Sequence, residues 1–327
     1  MSNIEVIRYN PEYRELWEDF IEHSSNGTLF HSQKFLSYHP EDRFKHHHLL
    51  FKMRGKIRSI FTGAEINNDS GTILHSHPGA SYGGFVVKNG ADFEDFNKLV
   101  QALADYAKAQ GFKAIRLTQT PLFYHRIQNQ GLEFALNYHG FKAERVELTQ
   151  STDLKSLQDD VIDSLVDKTR NSCRRAAKLG VEYQEAVELN IENLSDFYRI
   201  LVKNRTELGV EPTHTFNELI KLSQLVPDKL HLSFASCDGE RIAGLLNFIC
   251  SDRVVLLFYV AHLRDRQNLK PAPFLLANNL KWAKSAGFCE FDFGISTDKG
   301  IPNTGLLKFK ENFRAMPFLR ITYIKIL

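Results

Sequence analysis

Cysteine is scarce in this chain: there are four in 327 residues, at positions 173, 237, 250 and 289, and none forms a CxxC pair. That spacing argues against both a zinc framework and a disulfide framework and leaves free, buried thiols as the expectation. A charge excess is missing too. Lys and Arg number 41 against 39 Asp and Glu, a net +2, so no global field recruits DNA or an anionic surface, and any anion site is local. Long apolar runs are absent: no 18 consecutive apolar residues occur, and the opening MSNIEVIRYNPEYRELW mixes charges among its apolar residues. The expectation is a cytoplasmic chain without a transmembrane segment, in which membrane contact is at most peripheral.

What is present suffices for two cores. The length exceeds what one hydrophobic core usually supports, 43% of residues are apolar, and 25 are Phe. The sequence also repeats itself. Ala102 to Leu117, ALADYAKAQGFKAIRL, aligns without gaps on Asn278 to Phe293, NNLKWAKSAGFCEFDF, and identical residues fall at Ala107 and Ala283, Lys108 and Lys284, Gly111 and Gly287, Phe112 and Phe288. Each copy predicts an amphipathic helix, a Gly at the position just past its end, and an alternating strand. Upstream of each copy lies a predicted hairpin, with its turn at Gly55 in one half and at Asp238-Gly239 in the other.

Hairpin, further strand, helix, strand is the order of the N-acetyltransferase (GNAT) superfamily core. The fold expected is therefore α/β (α+β), with two tandem GNAT-like domains, each a mixed, mainly antiparallel sheet flanked by helices. The boundary is placed near Ser151, giving domains 1–150 and 151–327. The second domain opens with a basic helix that carries Arg170, Arg174 and Lys178 on one face with Arg175 beside them. Further helices are predicted at about Ile191 to Leu208 and Thr215 to Leu225, with entry into the sheet at Leu230.

The last hundred residues hold most of the candidate chemistry. Pro271 and Pro273 sit in the first turn of a helix that runs to Ala286, a place where a helix attracts anions. Acetyl-CoA-dependent members of the superfamily usually carry a Gly-containing turn here, and Arg264 to Pro273 has no Gly. In FCEFDFG, Glu290 and Asp292 share a strand face and are candidate bases. In GLLKFKENF, Lys308 and Lys310 are off one another's face, so one can point to a cleft and the other to solvent. His46, His47 and His48, three consecutive residues, alternate between strand faces, and His75 and His77 share a face with a cleft-lining role expected; no metal site is expected.

The chain resembles the FemAB family of peptidyltransferases, and more closely the FemAB-like proteins linked to bacterial polysaccharide or envelope biosynthesis. The resemblance rests on SHPGASYGGF (76–85), TRNSCRRAAKLGV (169–181), FYVAHL (258–263), FDFGIST (291–297) and GLLKFKENF (305–313), in family order. It implies an enzyme that transfers an acyl or aminoacyl group to an amine or hydroxyl of a glycan, peptidoglycan or lipid-linked precursor. No permanently bound cofactor is implied; the acyl donor, aminoacyl-tRNA or acyl-CoA, is a co-substrate, and tRNA is an implied partner. It also implies roles for Lys310, as a phosphate or oxyanion ligand, for Tyr259, an aromatic strand-end residue near the reacting groups, and for Tyr82, Gly83 and Gly84 in the cleft loop. The demands of acyl transfer make Tyr259 the candidate proton donor to the leaving group and Asp292 a candidate catalytic base, and Ser76, His77, Arg170, Arg174 and Lys308 are the further candidate substrate contacts. Two departures stand out. Thr120-Pro121 replaces the Asp-Pro expected after the first-domain strand, with Gln119 or Thr120 in the carboxylate's place, and there is no coiled-coil arm. Two other readings stay open: a non-catalytic protein that grips anionic glycan or phosphate through the basic helix, and an acetyl-CoA-dependent small-molecule N-acetyltransferase.

Overall fold

A computed structural model describes residues 4–69 and 71–327. The chain forms two compact units: Met1–Leu148 with Thr297–Ile301 and Phe318–Leu327, and Thr149–Ser296 with Pro302–Pro317. The sequence boundary near Ser151 lies close to this division, but residues 297–301 and 318–327 fold with the first unit.

The repeat appears as one topology used twice. In unit 1, strands Leu49–Met53, Lys56–Asn68 and Gly71–Ser76 pair antiparallel in turn, and Gly71–Ser76 then pairs in parallel with Ala114–Thr118 across the helix Phe93–Ala109. In unit 2, Leu230–Cys237, Glu240–Ile249 and Val254–His262 are antiparallel, and Val254–His262 pairs in parallel with Glu290–Ile295 across the helix Pro271–Ser285. Both hairpin turns have two residues at positive φ, Arg54 and Gly55 at 51° and 73°, Asp238 and Gly239 at 52° and 78°. This is the two-residue geometry whose twist matches the strands.

Both repeated helices also end alike. Gly111 and Gly287 adopt φ of 80° and 87°, and the following Phe N–H reaches back to a helical carbonyl, Phe112 to Ala107 and Phe288 to Ala283, at 3.1 Å in each case. These bonds satisfy helix-end carbonyls, and only Gly adopts that left-handed position without cost.

Each parallel strand then gains an antiparallel neighbour from far along the chain. In unit 1 it is the chain's last strand, where Thr322 to Ile326 pair with Thr118 to Ala114. In unit 2 it is the stretch beginning at Thr149, where Ser151, Thr152 and Asp153 pair with Asp292, Phe291 and Glu290.

The unit 1 core gathers Phe51, Phe61, Phe85, Leu99, Leu103, Ile115 and Phe141, all buried. The unit 2 core packs Leu275, Leu276, Leu280 and Ala283 of the Pro271–Ser285 helix on Leu245, Val255, Phe291 and Phe293. On the other face of that sheet lies the Ile191–Glu207 helix. It packs closely enough that a Cβ on Gly244 would stand 2.8 Å from the Phe197 ring. Of the four cysteines, Cys173 and Cys250 are buried and Cys237 and Cys289 partly exposed, all four as thiols outside any disulfide. Burial pushes the Cys173 thiol up to about 12, so it is not a nucleophile at neutral pH. Among the described residues, no helix is long and apolar enough to cross a membrane.

Candidate active site in unit 2

Two irregularities in the unit 2 sheet create a place for chemistry. Val254–His262 pairs with Glu290–Ile295 only from Val254 to Leu256, opposite Glu290 to Asp292, after which the two strands part. On its other side the same strand changes register between Leu246, opposite Tyr259, and Asn247, opposite Leu257, which leaves Phe258 as an extra residue. A bulge takes its extra residue out of the ladder and re-aims the side chains around it. The parting of the strands and the bulge therefore occur within two residues of one another.

Tyr259 follows the bulge and is buried. Its hydroxyl accepts the His214 backbone N–H at 3.0 Å and lies 3.0 Å from His214 Nδ1. With the amide donating to the oxygen, the phenol proton is available to Nδ1 of the imidazole or to Thr213, which also hydrogen-bonds the hydroxyl. His214 packs on Phe258 and Phe248, whose rings stack at 4.3 Å. Burial raises the Tyr259 pKa above its usual 10, against the pull of Thr213 and His214. The sequence did not single out His214, because its partner lies 45 residues away.

On the facing strand, Asp292 is wholly buried. It accepts from Thr149 Oγ1 at 3.0 Å and from Gly294 N–H at 2.7 Å, so it is no solvated edge carboxylate. Gly294 takes a φ of 71° to make that turn. Glu290 accepts from Ser151 Oγ at 2.6 Å. Burial, assisted by Asp153 and Asp292, pushes its carboxyl up to about 7, although the Ser151 bond and Arg253 oppose this.

Lys308 and Lys310 separate as their positions on the helix Thr304–Glu311 require. Lys310 is buried, and its Nζ donates to Gly294 O at 2.8 Å and Ile295 O at 2.7 Å. Burial pushes its ammonium down to about 8, against the attraction of Asp292. Two of its three donors are thus committed to the backbone of the facing strand. Lys308 is exposed and pairs with Glu311 at 3.2 Å.

The helix Pro271–Ser285 begins with Pro271 and carries Pro273, behind Lys270 at a φ of 58°. Of its first three residues only Ala272 has an N–H to offer a ligand. The basic helix is also partly occupied. Arg170 pairs with Asp167 at 2.5 Å and donates to Asp163 O, and Arg174 pairs with Asp163 at 2.6 Å. Arg175 and Lys178 stay exposed.

The remaining expected substrate contacts lie in unit 1. Ser76 Oγ accepts the Thr118 N–H at 2.9 Å. Tyr82 is 1% exposed, packed against Phe30 and Tyr124 with the Arg320 guanidinium over its ring. Gly83 N–H donates to Thr118 O. Gly84, at a φ of 77°, passes Gln119, whose Oε1 accepts the Phe85 N–H at 3.0 Å. In the place of the missing carboxylate, Gln119 and Thr120 are both buried. His77 Nε2 lies 2.9 Å from His46 Nδ1.

Residues 167–310 match the acetyltransferase (GNAT) domain family. No curated protein sequence matches the chain. Among solved structures, FemX is similar at 14% identity and a TM-score of 0.76, covering 99% of this chain and 97% of that one. The C-terminal domain of a candidate lysylphosphatidylglycerol synthetase from Agrobacterium fabrum is similar at 13% identity and a TM-score of 0.65, covering 97% and 92%. A tandem GNAT protein of the clavulanic acid biosynthesis pathway is similar at 10% identity and a TM-score of 0.59, covering 99% and 98%. The chain thus has the tandem GNAT fold that it shares with FemX, and the acetyltransferase domain match falls on the unit that holds the parted strands, the bulge and Tyr259.

Proposed function

We propose that the protein is an acyltransferase of the cell envelope, which moves an acyl or aminoacyl group to an amine or hydroxyl of a glycan, peptidoglycan or lipid-linked precursor. The observation that carries this reading is the coincidence, in unit 2, of the parted strands with the bulge at Phe258. An extended substrate segment lying in the gap, from donor or acceptor, can pair its polar groups with the free strand edge. The bulge amide then faces the acyl carbonyl, where negative charge develops as the nucleophile adds.

The Tyr259–His214 pair is the proton-handling unit of this reading. It takes the proton that the nucleophile loses and returns one to the leaving group, with no net change in its own charge. Asp292 and Lys310 shape the facing strand. Asp292 holds the Gly294 turn, Lys310 holds two successive carbonyls, and the ammonium adds positive charge beside the gap. For the donor we favour aminoacyl-tRNA over acyl-CoA, because the two prolines remove amide donors where a pyrophosphate needs them. The similarity to FemX, and to a protein whose name joins a lysyl group to phosphatidylglycerol, supports the same choice. On this reading the donor is a co-substrate, no resident cofactor is needed, and the protein works in the cytoplasm.

Purified protein incubated with labelled aminoacyl-tRNA or labelled acetyl-CoA, each with lipid-linked and nucleotide-linked glycan precursors, tests the proposal. Label moving from tRNA to a precursor is the expected result. Transfer from acetyl-CoA alone assigns the other donor. Anionic glycan that stabilises the protein while neither donor is consumed makes it a binding protein instead.

A further inference from the structure

Three imidazoles of unit 1 meet in a buried cluster. His46 and His48 are two residues apart and project to the same side, while His47 turns the other way to Glu65 and Tyr106, at 2.9 Å from each. His77, at the end of the Gly71–Ser76 strand, completes the group. One nitrogen from each of His46, His48 and His77 lies within 4.8 Å of the others, and no other such group of His, Cys, Asp or Glu occurs among the described residues.

The rings are held in place. The His77 ring stacks on His46 at 5.0 Å, on His48 at 5.7 Å and on His39 at 6.0 Å, with Phe44 edge-on at 4.9 Å. His77 and His48 are 2% and 4% exposed. A second, independent feature is the His48 Nε2 atom, which is buried and makes no hydrogen bond. Buried ring nitrogens are normally paired, so an orphan in a polar cluster points to a missing ligand.

We propose that His46, His48 and His77 bind one borderline divalent cation, of which Zn²⁺ is the best fit, and so tie the start of the first-unit hairpin to the loop that carries Tyr82, Gly83 and Gly84. Imidazole nitrogens suit zinc, and a tetrahedral ion accepts three of them with one position open. Bonds of about 2.0–2.1 Å set the ligand nitrogens roughly 3.4 Å apart. The pair His77 Nε2 and His46 Nδ1, now at 2.9 Å, must open slightly and the third nitrogen must close in.

Two local features weaken the site. Gly63 N–H donates to His48 Nδ1 at 3.1 Å and Gly79 N–H to His77 Nδ1 at 3.2 Å. These bonds place both ring protons on Nε2, so ligation through Nε2 shifts them to Nδ1 and loses the two amide bonds, at about tenfold in affinity each. Arg8, which donates to His46 O at 2.9 Å, adds a like charge nearby. A Kd of about 1 µM, rather than the far tighter binding of dedicated zinc modules, is the expectation.

The test is a calorimetric titration of tag-free, chelator-stripped protein with ZnCl₂ alone. One equivalent is expected to bind with that affinity, with nitrogen scatterers at about 2.0 Å by zinc K-edge X-ray absorption and no binding of Mg²⁺. His46→Ala, at the half-buried ligand and therefore the variant best able to fold, is expected to weaken binding about 100-fold or more. His23→Ala, at an exposed site, is expected to leave it unchanged. Equal affinity in His46→Ala and wild type, oxygen-only coordination, or no saturable binding by folded wild-type protein would each overturn the proposal. All three readouts are independent of transfer activity.

Discussion

Replacing Lys310 by Met tests how this buried ammonium is held. The side chain keeps its volume but loses two bonds, of 2.8 and 2.7 Å, to the carbonyls of Gly294 and Ile295. Hydrogen bonds from a charged donor contribute about 1.5–3 kcal/mol each. Against them stands the burial that pushes the ammonium from 10.5 to about 8, a cost of about 3 kcal/mol while the group is charged. The net loss in Lys310→Met at pH 7 is therefore modest, about 1–2 kcal/mol. The pH dependence is the sharper signature. Between pH 8 and 10.5 the unfolded chain holds the Lys310 proton and the folded chain has released it, so wild-type stability rises with pH across that window. The destabilisation caused by Lys310→Met should accordingly grow from pH 7 to pH 10.5. Paired urea denaturation of both proteins at the two pH values isolates the effect, because every other titrating group is shared. A destabilisation that is constant or shrinks over this range would refute the account.

Three further outcomes follow from the geometry. Tyr259→Phe removes the hydroxyl that His214 contacts twice and should lower kcat about 100-fold with KM nearly unchanged, read by steady-state transfer assays. Gly111→Ala and Gly287→Ala place a methyl group where nothing lies within 4 Å, so each should cost only the left-handed backbone strain, about 1–2 kcal/mol, by denaturant titration. Glu290, whose carboxyl burial pushes up to about 7 in the fold from its ordinary 4.5, contributes stability that is fully present below pH 4.5 and lost as pH rises through 7. Glu290→Gln should therefore be more favourable relative to wild type at pH 8 than at pH 4.5, as thermal denaturation at both pH values will show.

The sequence made the architecture readable because the features that define it are local. Gly111 and Gly287 end helices within a few residues of their partners, Arg54-Gly55 and Asp238-Gly239 close their hairpins, and the predicted sheet entry at Leu230 is where the strand begins. Lys308 and Lys310 were separable by helical geometry alone. What could not be read depends on contacts across long stretches of chain. His214 reaches Tyr259, and His77 reaches His46 over 31 residues, so alternation along the His46–His48 run showed that three neighbours diverge but not that two of them meet a third ring. The surroundings of the Asp292 carboxylate were not readable because the Thr149 hydroxyl that pairs with it lies 143 residues away.

The pairing of the chain's last strand with Ala114–Thr118 has a consequence for biosynthesis. Unit 1, most of which is made first, cannot be completed until residues 318–327 have emerged, more than two hundred residues after the strand they cover. Until then Ala114–Thr118 presents an unfilled edge, the kind of surface on which nascent chains misassociate. A fragment ending near residue 150 therefore lacks the edge strand that unit 1 needs.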